Sequence, residues 1–408
     1  MYKNITGMKD IMPSEVSKWH FVENNIKKVF ELYNYKEVRT PVLEFTALFK
    51  RGVGEATDIV EKEMYTFNDR NGKSLSLRPE GTASTVRAYI QSKDYANSPL
   101  TKYYYIGEMY RHERPQKGRY RAFNQIGAEF FGPSTPASDF EVIQMVEDIL
   151  KSIKLKDYKF YINSIGCKDC RPNHKKALVD FFTPHKEKLC KDCQRRLDTN
   201  PMRIIDCKID SCKIIAQDAP KISNFYCESC SKHNNELITL LENSDIGYQI
   251  DPKIVRGLDY YVKTTFEVRV SEEILGSQNT IIGGGRYNNL VKELGGPNVD
   301  AIGFGIGIER VILALSEEIN EAPLNYAIVI LGNTSLSPAL KLVHKLRKNG
   351  NTVDIDYRLG SLKSQMRWAN KNNAQKVIII GEEEVKNNIY IEKNMLTSEQ
   401  VKKTFDDL

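Results

Sequence analysis

The chain has 408 residues, 41% of them apolar and 27% charged, a globular composition too long for one core, so two domains with a third inserted are expected. No apolar run approaches the roughly 20 residues of a membrane-spanning helix, and "MYKNITGMKDIMP" lacks a secretory signal's apolar stretch, so a cytoplasmic protein with no membrane partner is expected. Net charge is only +6, from 59 basic against 53 acidic residues, so any case for nucleic acid rests on local clusters.

In chain order, Ser14 is placed to cap a helix whose Trp19, Val22, Ile26, Val29, Phe30 and Tyr33 keep helical spacing. "KEVRTPVLE" then reads as a strand interrupted at Pro41, and 74–78 and 103–111 as further strands. Helices are expected near Thr82 and Ser138. From about 167 to 245 the chain is rich in lysine and cysteine, is broken by Pro172, Pro184, Pro201 and Pro220, and reads as an insertion. Strand patterns return at 260–270 and 300–307, with a helix from about 308 to 319. From Tyr326, "YAIVIL", "SPALKLVHKLRKNG", "TVDIDY", "SLKSQMRWANKNNA" and "KVIIIG" alternate strand and helix, the rhythm of a small α/β domain beyond a boundary near "EAPLN", 321–325.

The chemistry concentrates in a few stretches. "YRHERPQKGRYRAFNQ", 110–125, carries Arg111, Arg114, Lys117, Arg119 and Arg121 with Glu113 among them. As a strand, "AFNQIGAEFF" puts Phe123, Gln125, Gly127 and Glu129 on one face and mainly apolar residues on the other. "AIGFGIGIER" puts Ala301, Gly303, Gly305 and Gly307 on one face, smooth enough for a flat ligand to lie against backbone. Arg310 then opens a helix, where the dipole disfavours a cation unless an anion is near. "IVRGLDYYVKTTFEV" is expected to turn Tyr260, Val262, Thr264 and Phe266 inward and Tyr261, Lys263, Thr265 and Glu267 to a polar face. "GGGRYNNL" reads as a glycine-rich turn or a bulged hairpin, and in "SLSLRPEGTAS" Glu80 and Thr82 suit helix capping as well as a site. The chain holds no G-x-x-x-x-G-K-[ST], so a polyphosphate would be clamped by arginines, with Arg111, Arg256 and Arg310 on separate segments.

Together these stretches resemble the histidyl-tRNA synthetases of bacterial type, class II aminoacyl-tRNA synthetases, over the whole chain. "KEVRTPVLE" is similar to motif 1, "YRHERPQKGRYRAFNQIGAE" to motif 2 and "AIGFGIGIER" to motif 3, while "LRPEGTA", "RGLDYY" and "GGGRY" resemble signatures of the histidine enzyme. The resemblance implies an α+β fold: an antiparallel-sheet catalytic core over 1–320 with the helical, cysteine-rich insertion, then a C-terminal α/β anticodon-binding domain over 326–408. It implies that Glu80, Thr82 and Gln125 hold the amino end of histidine, that Glu129 and Tyr261 bond the imidazole nitrogens, and that Tyr287 closes the pocket. A carboxylate paired with a phenol suits a ring offering one donor and one acceptor. Arg111 and Arg256 would act at the α-phosphate as the catalytic cations, with Glu113 and Phe123 at the adenine and Arg119 and Arg310 at the outer phosphates with Mg2+. Arg114, Lys117 and Arg121 would face the acceptor end of tRNA(His).

The implied reaction joins L-histidine and ATP into histidyl-adenylate and pyrophosphate, then moves histidine to the tRNA, with positioning and charge stabilisation dominating. A homodimer is implied through motif 1, and the Trp19, Val22, Ile26 stripe offers an apolar surface for it. The competing reading is a noncatalytic histidine-binding regulatory relative, which the retained arginines and α/β tail argue against. Asn124 and Asn288 depart from the family's usual His and Asp.

The eight cysteines form three C-x-x-C pairs, Cys167 and Cys170, Cys190 and Cys193, Cys227 and Cys230, and a looser pair, Cys207 and Cys212. That is enough thiolate for two tetrahedral zinc sites, with three pairings open; iron–sulfur is the minor alternative and eight reduced structural cysteines the plain one.

Overall fold

The structure, a computed structural model, describes residues 2–54, 57–255, 258, 260–316, 319 and 323–406. It divides into two units, Met1–Ile319 and Asn320–Leu408.

The first unit is built on strands β1 (Lys36–Glu37), β2 (Leu43–Phe45), β3 (Thr66–Asn68), β4 (Ser74–Leu77), β5 (Thr101–Tyr110), β6 (Ala122–Phe131), β7 (Lys159–Ser164), β8 (Tyr248–Ile250), β9 (Val262–Arg269), β10 (Thr280–Arg286) and β11 (Ala301–Gly307). Eight of them form one sheet in the order β1-β5-β6-β11-β10-β9-β7-β8, antiparallel except for the parallel pairs at its two edges. β2, β4 and β3 make a separate small antiparallel sheet. As expected from Pro41, "KEVRTPVLE" is split between β1 and β2 and does not run as one strand.

The helices Pro13–Leu32 and Pro136–Ser152 cover one face of the large sheet. Trp19, Val22, Ile26, Val29 and Phe30 are buried there against residues such as Val146, Phe130 and Phe304. Each is worth about 1.5–3 kcal/mol of burial, so the stripe read as a dimer surface is used inside the chain. The first helix starts on Pro13 with no side-chain cap from Ser14, because proline's fixed φ already sets the first helical position. The helix after β11 is short, Ile308–Ala314.

Two expectations fail around β9 and β10. The triple glycine Gly283–Gly285 is not a turn but lies in β10, paired on both sides, and the antiparallel, bulged pairing with β9 follows the alternative reading of this stretch. The β9–β10 register slips between Gly285 and Arg286, and Lys263 carries φ +51°, so strict alternation is lost. Tyr261 and Thr265, expected on a polar face, are 5% and 0% exposed.

The segment from 171 to 242 is largely helical, with Arg171–Phe182, Lys191–Thr199, Met202–Ile205, Asp210–Ala216 and Glu228–Glu242. The last of these sends Leu237 and Leu241 into the main core, so the chain is back in the catalytic body before 245.

In the second unit β12 (Tyr326–Ile330), β13 (Val353–Ile355), β14 (Lys376–Ile380), β15 (Ile389–Asn394) and β16 (Gln400–Thr404) order as β13-β12-β14-β15-β16. The first three are parallel and are linked by helices Leu336–Lys348 and Leu362–Lys371, while the last two add antiparallel.

Candidate active site

The face of the sheet away from the long helices carries the site, and glycine makes the room. On β6, Gln125, Gly127 and Glu129 stand opposite Gly307, Gly305 and Gly303 of β11. A Cβ on Gly303 would lie 1.9 Å from Glu129 Oε2, and one on Gly305 2.5 Å from Gln125 Nε2. A Cβ on Gly127 would meet the Tyr105 ring at 2.3 Å. The space at Gly303 is therefore filled by the Glu129 carboxyl and is not open to a flat ligand as expected; Gly305 and Gly307 do border a cleft.

One end of the site is enclosed and polar. Glu129, 1% exposed, accepts hydrogen bonds from Thr82 Oγ1 at 2.8 Å and from the Tyr287 hydroxyl. Burial pushes its pKa up from 4.5 to about 8, against the pull of those two hydroxyls. Glu80 caps the helix Thr82–Ser92, accepting from the amides of Thr82 at 2.7 Å and Ala83 at 2.8 Å. Thr82, expected as a cap, spends its hydroxyl on Glu129 instead. Tyr260 joins the cluster, its ring 4.7 Å from Tyr261 and 5.6 Å from Tyr287. Gln125 Oε1 and the Tyr260 hydroxyl are buried without a partner among the described residues, a cost that a polar ligand would relieve. The structure thus gathers Glu80, Thr82, Gln125, Glu129, Tyr261 and Tyr287 on neighbouring elements, with Tyr287 as the phenol on Glu129.

The other end is an open cleft of about 150 Å3 lined by Arg111, Glu113, Arg119, Phe123 and Arg310. It adjoins a second cavity of about 380 Å3 that shares Arg111, Arg119 and Arg310. Arg111 donates to the Pro79 carbonyl at 2.8 Å and lies 5.3 Å from the Phe123 ring centre. Arg119 pairs with Glu113 at 2.7 Å. Arg310 donates to the carbonyls of Gly118, Gln278 and Thr280. Burial, with Arg119 and Arg111 nearby, holds its pKa down to about 10 from an ordinary 12.5. Such crowding of cations favours an anion in the cleft. Arg256 lies outside the described residues. Arg114 and Lys117 are exposed, and Arg121 donates to the Glu113 carbonyl at 3.2 Å.

Sequence reasoning missed Tyr105, Tyr260, Glu63 and Glu309. Glu309 accepts from the amide and side chain of Asn124 at 2.7 and 3.3 Å, which gives the departing Asn124 a partner. Burial and the neighbouring Glu113 push the Glu63 carboxyl up. Glu309 was findable beside Arg310; Tyr105 is the last of three consecutive tyrosines and Tyr260 the first of two, with nothing local to separate core from site.

Arg286, in the quoted "GGGRY", is no ligand: fully buried, it pairs with Asp139 and bonds the Pro133 and Thr135 carbonyls and Ser138. The eight cysteines gather in two groups of four, Cys167, Cys170, Cys227 and Cys230, and Cys190, Cys193, Cys207 and Cys212.

Residues 7–168 and 215–311 match the family model described as histidyl-tRNA synthetase, and 325–408 match one described as anticodon binding domain. The histidine–tRNA ligase of Halothermothrix orenii is 47% identical over 399 residues, 97% of this chain and 95% of that protein. That of Caldanaerobacter subterraneus subsp. tengcongensis is 46% identical over 406 residues, 98% and 97% of the two chains. The apo structure of S. aureus histidyl-tRNA synthetase superimposes with a TM-score of 0.83 at 39% identity, covering 100% of this chain and 98% of that one. A structure described as an ATP phosphoribosyltransferase regulatory subunit/histidyl-tRNA synthetase from Bacillus halodurans shares the fold alone, with a TM-score of 0.68 at 22% identity over 93% of this chain and 98% of that one.

Proposed function

The chain belongs to the histidyl-tRNA synthetase family, and from that premise we propose that the enclosed Glu129 end of its site takes the histidine side chain and the arginine-lined end takes ATP. It acts as a histidine–tRNA ligase, a class II aminoacyl-tRNA synthetase working in translation. A noncatalytic regulatory role is not favoured, since curated ligases match at 44–47% identity over nearly the whole chain.

The observation that carries the site reading is Arg310, half-buried among carbonyls beside two other arginines and depressed to about 10, a charge that gains most from a polyphosphate. In the first step a histidine carboxylate oxygen bonds the α-phosphorus as the bond to pyrophosphate breaks. Arg111 and Arg256 act at the α-phosphate, Arg119 and Arg310 at the outer phosphates, and Phe123 and Glu113 at the adenine. In the second step the terminal tRNA hydroxyl attacks the histidyl carbonyl and AMP leaves. Each positioned donor contributes a factor of about 100–1,000. Glu80 and Gln125 orient the amino end, and Gln125 Oε1 gains the partner it lacks.

Magnesium fits the donor set: Glu63 and Glu267 border the arginine cavities and would offer it hard oxygens. Bound there it would neutralise charge on the phosphates. Zinc belongs to the cysteines, outside the reaction.

Arg114, Lys117 and Arg121, on the connection between β5 and β6 that also carries Arg111 and Arg119, take the acceptor end of tRNA(His). The unit from 325 onward reads the anticodon region, and the core is interrupted by an insertion that starts at about 167 and ends before the helix Glu228–Glu242 rejoins the core. The reaction runs in the cytoplasm. A homodimer rests on exposed Val42, Leu43 and Phe45 of the motif 1 region, now that the Trp19 stripe is buried; light scattering that reports an active monomer at micromolar concentration would remove it. The catalytic test is histidine-dependent exchange of label between pyrophosphate and ATP. A folded chain that exchanges none sinks the reading.

A further inference from the structure

We propose that the inserted segment holds two structural zinc ions, one in Cys167, Cys170, Cys227 and Cys230 and one in Cys190, Cys193, Cys207 and Cys212, and that the first fixes the backbone carrying Tyr261. The inference deepens the zinc reading above and does not depend on the ligase chemistry.

Spacing leaves three ways to join the four pairs, and the fold selects the nested one, outer with outer and inner with inner. In each group all four sulfurs lie within 4.8 Å of one another. Cys167 is 3.7 Å from Cys170 and 3.8 Å from Cys227, and Cys190 is 3.9 Å from Cys207. Four sulfurs about 2.3 Å from a central zinc form a tetrahedron whose edge is about 3.8 Å, whereas a disulfide needs about 2.05 Å. Backbone amides point at the sulfurs: Cys227 N to Cys170 Sγ at 3.1 Å, Asp169 N to Cys167 Sγ at 3.4 Å and Cys190 N to Cys212 Sγ at 3.2 Å. Such donors offset the charge of four thiolates and orient them.

Cys190 immediately precedes the helix Lys191–Thr199 and Cys227 the helix Glu228–Glu242, so Cys193 and Cys230 sit in first turns, at the positive end of the dipole. Cys170, Cys193, Cys212 and Cys230 are at most 2% exposed, which closes both sites to water and substrate. Four thiolates in a closed tetrahedron select zinc among common divalent ions and give it a folding role.

The first site stands where the insertion leaves β7 and returns to the core. The same stretch brackets Tyr261: Ile165 N donates to Lys263 O and Lys263 N to Gly166 O, both at 2.8 Å, and Arg171 donates to the carbonyls of Ile165 and Tyr261. The Tyr226 hydroxyl adds a bond to Ser164 O at 2.7 Å. The second site secures the helix Lys191–Thr199, whose Arg196 pairs with Asp58 at 2.9 Å.

The test is the metal content of the chain purified without chelator from zinc-supplemented medium. Two zinc per chain are expected, released stepwise by a mercurial to a chromogenic chelator, with the loss of helical circular dichroism as a second readout. Cys167→Ser with Cys227→Ser, both in one group, should remove one zinc. Cys190→Ser with Cys227→Ser, across groups, should remove both. Loss of both from the first double variant overturns the nested pairing. Cys227→Ser should raise the histidine KM several-fold and Cys212→Ser should not; equal effects overturn the link to Tyr261. If the variants fail to fold, the wild-type release still decides: no zinc with eight reactive thiols, or iron with visible absorption, overturns the proposal. Pyrophosphate exchange measured on the same metal-free chain keeps the ligase reading separate, since exchange without zinc leaves that reading standing.

Discussion

Two arginines of the same domain are held in opposite ways, one buried and one half-buried. Arg286, at the end of β10, is fully enclosed with Asp139, which also accepts from His233 at 2.7 Å and from Thr264 at 2.5 Å. That cation is neutralised inside the fold and ties β10 and β9 to the helices Pro136–Ser152 and Glu228–Glu242. Arg310, two residues from the start of its helix, is anchored by carbonyls and sits near Arg119 and Arg111, so its charge is only partly answered. A buried charge that the protein completes by itself serves structure, and one left wanting an anion serves a ligand.

Removing the first arginine should bring the larger energetic effect. Arg286→Ala leaves Asp139 charged and enclosed, and should cost about 3–5 kcal/mol of stability, read as a lower denaturant midpoint for the catalytic unit. Adding Asp139→Leu should recover part of it. If Arg286→Ala folds with unchanged stability, the contrast between the two arginines fails.

Arg310→Ala should do the reverse. We expect pyrophosphate exchange to fall about 100- to 1,000-fold, some 2.7–4 kcal/mol in the barrier, while the denaturant midpoint holds or rises as the crowded cation is removed. A variant with normal turnover would place the outer phosphates elsewhere.

The enclosed carboxyl extends the comparison to anions. Glu129 keeps its proton in the folded chain up to about pH 8, against an ordinary 4.5. The folded state binds the extra proton, so its advantage is complete below pH 4.5 and is lost as pH rises through about 8. Glu129→Gln should flatten this decline, on the order of 5 kcal/mol, in urea midpoints measured on either side of that window. An equal slope in both proteins would mean that Glu129 is ionised throughout.

The smallest effect belongs to exposed cations. Arg114→Ala and Lys117→Ala should each weaken tRNA charging by about 0.5–1 kcal/mol, seen as a raised KM for tRNA whose excess over the wild type shrinks as salt is added, with histidine-dependent exchange little changed. If exchange falls as far as in Arg310→Ala, these residues belong to the nucleotide end.

Much of the fold could be read because its signals are local. The apolar period of Trp19 to Phe30 fixes a helix whatever it packs against, the alternation in 122–131 and 301–307 fixes two strands and their faces, and the strand and helix rhythm from Tyr326 to Ile380 fixes the α/β unit. Arg310 stood out because a cation at a helix start breaks a local rule, Glu129 because it shares a strand face with Phe123 and Gln125, and Arg111 because it belongs to a cluster of five cations. Pairing across the sheet was not legible. Gly303 looked like a platform until the β6–β11 register set Glu129 against it, and the Gly283–Gly285 turn became a strand once neighbours on both sides completed its hydrogen bonds. Tyr105, Tyr260 and the grouping of the cysteines have the same cause: their meaning depends on partners far along the chain, which no local period encodes. Sequence determined which residues carry charge, thiol and flexibility and which elements they ride on; tertiary structure decided which charges meet, because burial and neighbouring groups set whether a side chain is satisfied or left for a ligand.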